Sequence, residues 1–161
     1  MRDLILDNKS HRRFLKKPIL DTLDVGDSIA NILIDNQAGI YLYDLIENNH
    51  LVAVFLSTEC DSCETAMEAM EIFHQKNPAI NIVAFIHTEL SIFIMLEEYF
   101  KGKLPVFHLP KIRMNEELRI YSFPRGFTIN SQGQVLRVEI CGQEFIFDLL
   151  RKPLRKLLPY Q

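Results

Sequence analysis

Nothing in these 161 residues approaches the roughly 18 consecutive apolar positions of a membrane-spanning helix. The most apolar region, 80–100, is broken by Asn81, His87, Glu89, Glu97 and Glu98. The N-terminal stretch also lacks the apolar core of a signal peptide. Two expectations remain: a cytosolic protein, or one whose leader or anchor lies outside this chain. Cysteine is scarce, with three residues, too few for a disulfide-stapled secreted scaffold. There is no internal repeat and no low-complexity segment. Nor is there a large excess of charge: the net charge is −3, distributed unevenly. Residues 1–17 hold six basic side chains against two acidic, and residues 148–161 hold four against one, so the body between is strongly acidic. Basic ends on an acidic body do not suggest a nucleic-acid reader. The N-terminal cluster has two readings, a juxtamembrane basic segment or a solvated tail.

What is present is the composition of one globular domain, 48% apolar and 24% charged. The chain is organised around Val52–Phe73. Val52-Ala53-Val54-Phe55-Leu56 is a continuous apolar run, the pattern of a strand buried on both faces. Ser57-Thr58-Glu59 is a polar break. Cys60-Asp61-Ser62-Cys63 then opens a segment with Ala66, Met67, Ala69, Met70 and Phe73 at helical spacing. A dithiol therefore stands where a buried strand hands over to a helix N-terminus. Unpaired N–H groups and the helix dipole there favour a thiolate on Cys60. Cys63, one turn on, can attack a mixed disulfide formed at Cys60. The spacing suits thiol–disulfide exchange, with Cys60 as nucleophile and Cys63 as resolving thiol. Zinc is disfavoured by ligand count, since Cys141 is the only other cysteine and His11, His50, His74, His87 and His108 are scattered. Two inert core cysteines remain an alternative.

Along the chain, residues 1–24 read as an N-terminal extension, with Leu4, Ile5, Leu6, Phe14, Leu15, Ile19 and Leu20 forming a short helix or an arm packed on the domain at 25–161. Ile29–Ile34 and Gly39–Tyr43 flank a turn-rich segment and predict a β-hairpin. Leu42–Ile46 predicts one helical turn stopped by Asn48-Asn49. A helix over about 61–75 ends at Asn77-Pro78. Ile80–Ile86 is a second buried strand, and the two strands with their helix make a parallel βαβ unit. Glu89–Phe100 predicts a helix ended by Gly102, with Ile92, Leu96, Tyr99 and Phe100 on one side. Its segment Ile92–Leu96 is apolar nearly all round, so the helix is expected to be covered. Pro105–Leu109 reads as an edge strand and Asn115–Tyr121 as a short helix. Phe127–Asn130 and Val135–Ile140 flank a second hairpin turn. Phe145–Leu158 closes the chain as an amphipathic helix, kinked or restarted at Pro153.

This order of elements resembles the thioredoxin-fold thiol–disulfide oxidoreductases, specifically the TlpA/ResA-like branch. Three blocks covering about 25–158 carry the resemblance: VGDSIANILIDNQAGIYLYDLIENNHLVAVFLSTECDSC, INIVAFIH and SFPRGFTINSQGQVL. The last is similar to that branch's Pro-Thr-Thr-Phe-Leu-Ile-Asp-x-x-Gly hairpin, with Pro124 and Gly133 nine apart as in the pattern. The resemblance implies an α/β, thioredoxin-like fold, a central mixed sheet flanked by helices with an N-terminal β-hairpin. It implies that Pro124 is a cis-proline facing the dithiol, with the backbone of Phe123 open to an extended client by strand addition. It implies no bound cofactor and no metal ligand. It further implies a client protein with a disulfide or thiol pair, an electron-donating redox partner, and a location on the extracytoplasmic face of a bacterial membrane, any tether lying outside this chain.

Four departures from the family pattern bear on the chemistry. Glu59 stands where relatives usually carry Trp, and Ser62 where many carry Pro. The acid that relatives of this branch place three residues beyond the second cysteine is Ala66, and the buried acid of ordinary thioredoxins falls at Val54. Glu59, Asp61 and Glu64 crowd the dithiol instead, and their charge is expected to tune Cys60 to a relatively high pKa and the pair to a reducing role. His87 is a candidate proton relay, Arg125 a candidate for orienting a substrate carbonyl or carboxylate, and Cys141 a core residue. Two rival readings remain. One is a peroxiredoxin-type thiol peroxidase, although Ala53 and Ser57 occupy the positions where it would carry Pro and Thr. The other is a redox-inactive or metal-carrying binding domain, copper being the obvious case.

Overall fold

The computed structural model describes residues 21–156. The basic N-terminal cluster, the arm expected before residue 21 and the last residues of the closing helix lie outside the described residues. Seven strands and four α-helices follow in order: β1 (Leu33–Asp35), β2 (Ile40–Tyr41), β3 (His50–Ser57), α1 (Cys63–Lys76), β4 (Ile82–His87), α2 (Leu90–Phe100), β5 (Val106–His108), α3 (Lys111–Leu118), β6 (Arg125–Asn130), β7 (Val135–Glu139) and α4 (Glu144–Arg151). A 3₁₀ turn at Leu42–Leu45 and another at Lys152–Lys156 complete the list.

The main sheet has the order β5-β4-β3-β6-β7. β3 runs parallel to β4, pairing Val52 with Ile82 through Ser57 with His87. It runs antiparallel to β6, pairing His50 with Asn130 through Phe55 with Arg125. Every residue of β3 is buried, as its unbroken apolar run predicts. The pleat sends alternate side chains to opposite layers. Val52, Val54 and Leu56 join Ala66, Met70 and Phe73 of α1 and Phe147 and Leu150 of α4. Leu51, Ala53 and Phe55 join Met114 and Leu118 of α3 and Ile29, Ile34 and Leu42 of the N-terminal strand region. Phe55 is the aromatic centre of that second layer, stacked on Phe85 at 4.9 Å and edge-on to Phe127 at 5.6 Å.

The expected N-terminal hairpin is present but shorter: Leu33 pairs with Tyr41 and Asp35 with Ile40. The residues before it serve another purpose. Gly26 and Ile29 donate backbone N–H bonds to Val135 and Gly133 at 2.9 Å, so this stretch lines the β6–β7 hairpin. The Tyr43 hydroxyl donates to the Ile29 carbonyl at 2.5 Å and rests on Gly133, where any Cβ would collide with the ring.

Two helix expectations need correction. The short helix predicted at Asn115–Tyr121 occupies Lys111–Leu118 instead. Pro110 precedes its first turn, where a missing N–H costs nothing, and Arg119 ends it in the left-handed conformation at φ 60°. The helix expected to be covered all round, α2, buries only Phe93 and Phe100. Leu90, Ile94 and Met95 are exposed at 62%, 58% and 72%. The closing helix behaves as predicted as far as it is described, passing into 3₁₀ geometry around Pro153.

Candidate active site

The dithiol lies at the C-terminal end of β3, in two overlapping turns. Cys60 donates its N–H to the Ser57 carbonyl at 3.1 Å, and Cys63 donates to the Cys60 carbonyl at 3.2 Å. A clasp fixes this connection to the neighbouring strand end. Thr58 N–H donates to the His87 carbonyl at 3.1 Å, and Thr58 Oγ1 donates to Thr88 Oγ1 at 2.7 Å. Beyond Ser62, α1 forms because Ala66, Ala69, Met70 and Phe73 recur on its buried face. It stops at Asn77, whose side-chain amide donates to the Phe73 carbonyl at 3.0 Å, just before Pro78. Cys63 is thus the first helical residue, and Cys60 stands in front of the free N–H groups of the first turn.

The two sulfurs are chemically unlike. Cys60 is half-buried and Cys63 is fully buried, both as free thiols. Partial burial pushes the Cys60 thiol up, but donors outweigh it. The Cys63 thiol, the Ser62 hydroxyl and the Ser62 and Cys63 backbone N–H groups hold its pKa below the ordinary value of 9.0. The Ser62 hydroxyl lies 3.6 Å from Cys60 Sγ. Burial and the neighbouring Cys60 push Cys63 up to about 12, against the relief of one N–H from Ser57 at 3.4 Å. Cys141 is buried behind the pair and likewise raised to about 12, mainly by desolvation.

This reverses the expectation of a relatively high Cys60 pKa. Glu59 and Asp61 do not figure among the groups that set it. The Glu59 side chain is 70% exposed and turns towards His87, with Oε1 3.6 Å from Nε2. Asp61 and Glu64 are exposed as well. Charges in bulk water act weakly, whereas hydrogen bonds at the sulfur act directly. His87, the candidate relay, stands at the end of β4 as predicted. Its Nδ1 accepts the Lys111 N–H at 2.9 Å, which places the proton of a neutral ring on Nε2, facing Glu59. Neither cysteine is among its partners.

The opposite wall comes from the segment before β6. The Phe123–Pro124 bond is cis, as the family resemblance implies. The Cys60 thiol donates to the Phe123 carbonyl at 3.4 Å. Arg125 donates its Nε–H to Ser122 Oγ at 2.9 Å, a bond that braces the turn before β6. Two groups at the site were not singled out from the sequence. Ser62 was noted only for not being proline, though its hydroxyl reaches Cys60. The Thr58–Thr88 clasp joins residues whose proximity only the β3–β4 register discloses. Among the described residues, no three His, Cys, Asp or Glu side chains gather closely enough to hold a metal ion.

No protein-family model matches this chain, and no curated protein sequence matches it. Solved structures do. A candidate thiol:disulfide interchange protein DsbE from Chlorobium tepidum matches with a TM-score of 0.65 at 19% identity, over 85% of this chain and 99% of that one. The thioredoxin domain of the thiol-disulfide oxidoreductase BVU-2223 from Bacteroides vulgatus gives 0.62 at 14%, over 80% and 98%. A secreted thiol-disulfide isomerase from Corynebacterium glutamicum gives 0.61 at 15%, over 80% and 85%. At such identities the likeness is one of fold. The chain has a thioredoxin-like α/β fold, a mixed sheet between helices with an N-terminal strand pair.

Proposed function

We propose that this thioredoxin-like domain is a thiol–disulfide oxidoreductase acting on disulfides of other proteins, with Cys60 and Cys63 as its catalytic pair. The observation that carries the reading is the asymmetry of the two thiols. Cys60 is reachable and held below 9.0, while Cys63, in contact with it, is buried and raised to about 12. Of the two, Cys60 is the thiol that ionises first, and Cys63 keeps its proton in reserve.

The Cys60 thiolate attacks one sulfur of the client disulfide. The client S–S bond breaks, a Cys60–client disulfide forms, and the other client sulfur leaves as a thiolate. Cys60 then carries no negative charge, which removes one of the causes holding Cys63 high. Cys63 gives up its proton and attacks Cys60 Sγ, the Cys60–client S–S bond breaks, and the client sulfur so released takes up a proton. The Cys60–Cys63 disulfide forms and the client leaves with two electrons gained. A partner dithiol returns two electrons to close the cycle.

Phe123 and Pro124 form the client-facing wall. Ionisation of Cys60 removes the proton that the Phe123 carbonyl accepts, and frees that oxygen for a client N–H. The reducing direction was supported by a raised Cys60 pKa. With the pKa lowered that support falls away, and equilibration with a glutathione buffer measures the potential that decides the direction. The extracytoplasmic face of a bacterial membrane is the compartment we propose, because the Corynebacterium neighbour is a secreted protein. Among the described residues no helix is long and apolar enough to cross a membrane.

The decisive experiment is a Cys63→Ser trap in cells. Cys60 should retain its client as a mixed disulfide that mass spectrometry identifies. If no covalent partner accumulates under oxidising conditions, the proposal fails.

A further inference from the structure

Three carboxylates surround the dithiol without tuning it. Glu59, Asp61 and Glu64 are all exposed, one on each side of the pair and one between. Neither Asp61 nor Glu64 has an ion-pair partner among the described residues, and Glu59 reaches only the His87 ring at 3.6 Å. Glu89 adds a fourth exposed carboxylate at the same end of the sheet, next to the Thr88 that clasps Thr58. Among the described residues the cations at this end are Lys111, at the start of α3, Arg125, which keeps its charge while bonded to the neutral Ser122 hydroxyl, and Arg119, which lines one cavity with Arg125 and is paired with Asp21 and Asp27. Among the described residues the rim therefore carries more negative than positive charge, and a Cys60 thiolate adds one more. Glu64 stands in the first turn of α1, where a carboxylate complements the helix dipole, and the others are exposed to solvent.

We propose that this rim selects clients whose reactive disulfide lies in a basic segment, with Lys or Arg beside the cysteine. The inference rests on the exchange reading above and names the substrate class of the same site. Its physics is steering: a rim of one sign raises the local concentration of oppositely charged reactants and disfavours those of like sign. An anionic carrier such as glutathione disulfide is correspondingly a poor reactant.

The test uses three small disulfides of similar size: cationic cystamine, anionic 3,3′-dithiodipropionate and neutral 2-hydroxyethyl disulfide. Second-order rate constants for the reduced protein are measured by stopped flow, and each is divided by the same reaction with dithiothreitol. The neutral probe registers the thiolate population, and the cation-to-anion ratio registers the rim alone. At about 10 mM salt, where screening extends over about 30 Å, the normalised ratio should be about tenfold or more. At about 1 M salt, with screening within about 3 Å, it should collapse towards one. The double substitution Asp61→Asn, Glu64→Gln should lower the low-salt ratio about threefold. A normalised ratio near one at low salt, with the neutral probe reacting normally, overturns the charge selection and leaves the exchange reading standing. Failure of the neutral probe to react overturns the exchange reading and this inference with it.

Discussion

Cys60 Sγ lies 3.4 Å from the carbonyl oxygen of Phe123, 63 positions later in the chain. The contact joins the two halves of the site, and it exists only while the thiol keeps its proton. Reactivity and the state of the client-facing backbone are therefore coupled through one hydrogen.

Alkylation should separate the two cysteines cleanly. The pH dependence of iodoacetamide labelling should show one inflection, from Cys60, below the ordinary 9.0, with Cys63 unlabelled until the solution nears pH 12. Ser62→Ala removes a hydroxyl donor and should move the Cys60 inflection upward. An inflection at or above 9.0 in the wild type would contradict the donor geometry.

Stability of the reduced protein should fall in alkali. Unfolded thiols ionise near 9.0, whereas folded Cys63 and Cys141 hold their protons to about 12. Between those values the unfolded state has lost protons that the folded state retains, so raising the pH favours unfolding. Each thiol should account for about 1.4 kcal/mol of this loss at pH 10. Urea unfolding at pH 8 and pH 10 measures it, and Cys141→Ala should flatten the slope by one thiol's share. An unchanged slope in that variant would refute the assignment.

Gly126→Ala should destabilise the domain by about 1–3 kcal/mol, the range for overpacking a filled core. An added Cβ would stand 2.6 Å from Leu150 Cδ1 and 3.3 Å from Cys141 Sγ, both buried. Equilibrium unfolding gives the figure. A neutral effect would mean that α4 yields easily.

Tyr43→Phe removes the bond to the Ile29 carbonyl and should lower stability by about 0.5–1.5 kcal/mol. Cys60 labelling should be unchanged, since the bond lies in the layer built on the β6–β7 hairpin. A change in labelling rate would place this contact in communication with the site.

The layers of the fold were legible because β3 and β4 carry short apolar runs bounded by polar residues, the pattern of strands covered on both faces. The dithiol was legible from spacing. Other features were not, for reasons the particular residues make plain. The α2 segment Ile92–Leu96 is apolar nearly all round, yet hydrophobicity per residue does not say what stands opposite, and only Phe93 and Phe100 of α2 are buried. The start of α3 is not legible because its first turn, Lys111–Met114, alternates charged and apolar residues, a pattern that does not mark a helix. The sign of the Cys60 shift turned on geometry: the acids are nearest in sequence, but the hydrogen-bond donors are nearest in space.

β3 carries the thiols at one end and is flanked on both sides along its length. Its parallel neighbour β4 and antiparallel neighbour β6 bring the His87 and Arg125 ends to the same place. The two loops that hold the sulfur and the carbonyl are thereby anchored on neighbouring strands in the middle of the molecule. The most reactive atom of the chain should accordingly adjoin its slowest-exchanging amides, those of Val52 to Leu56.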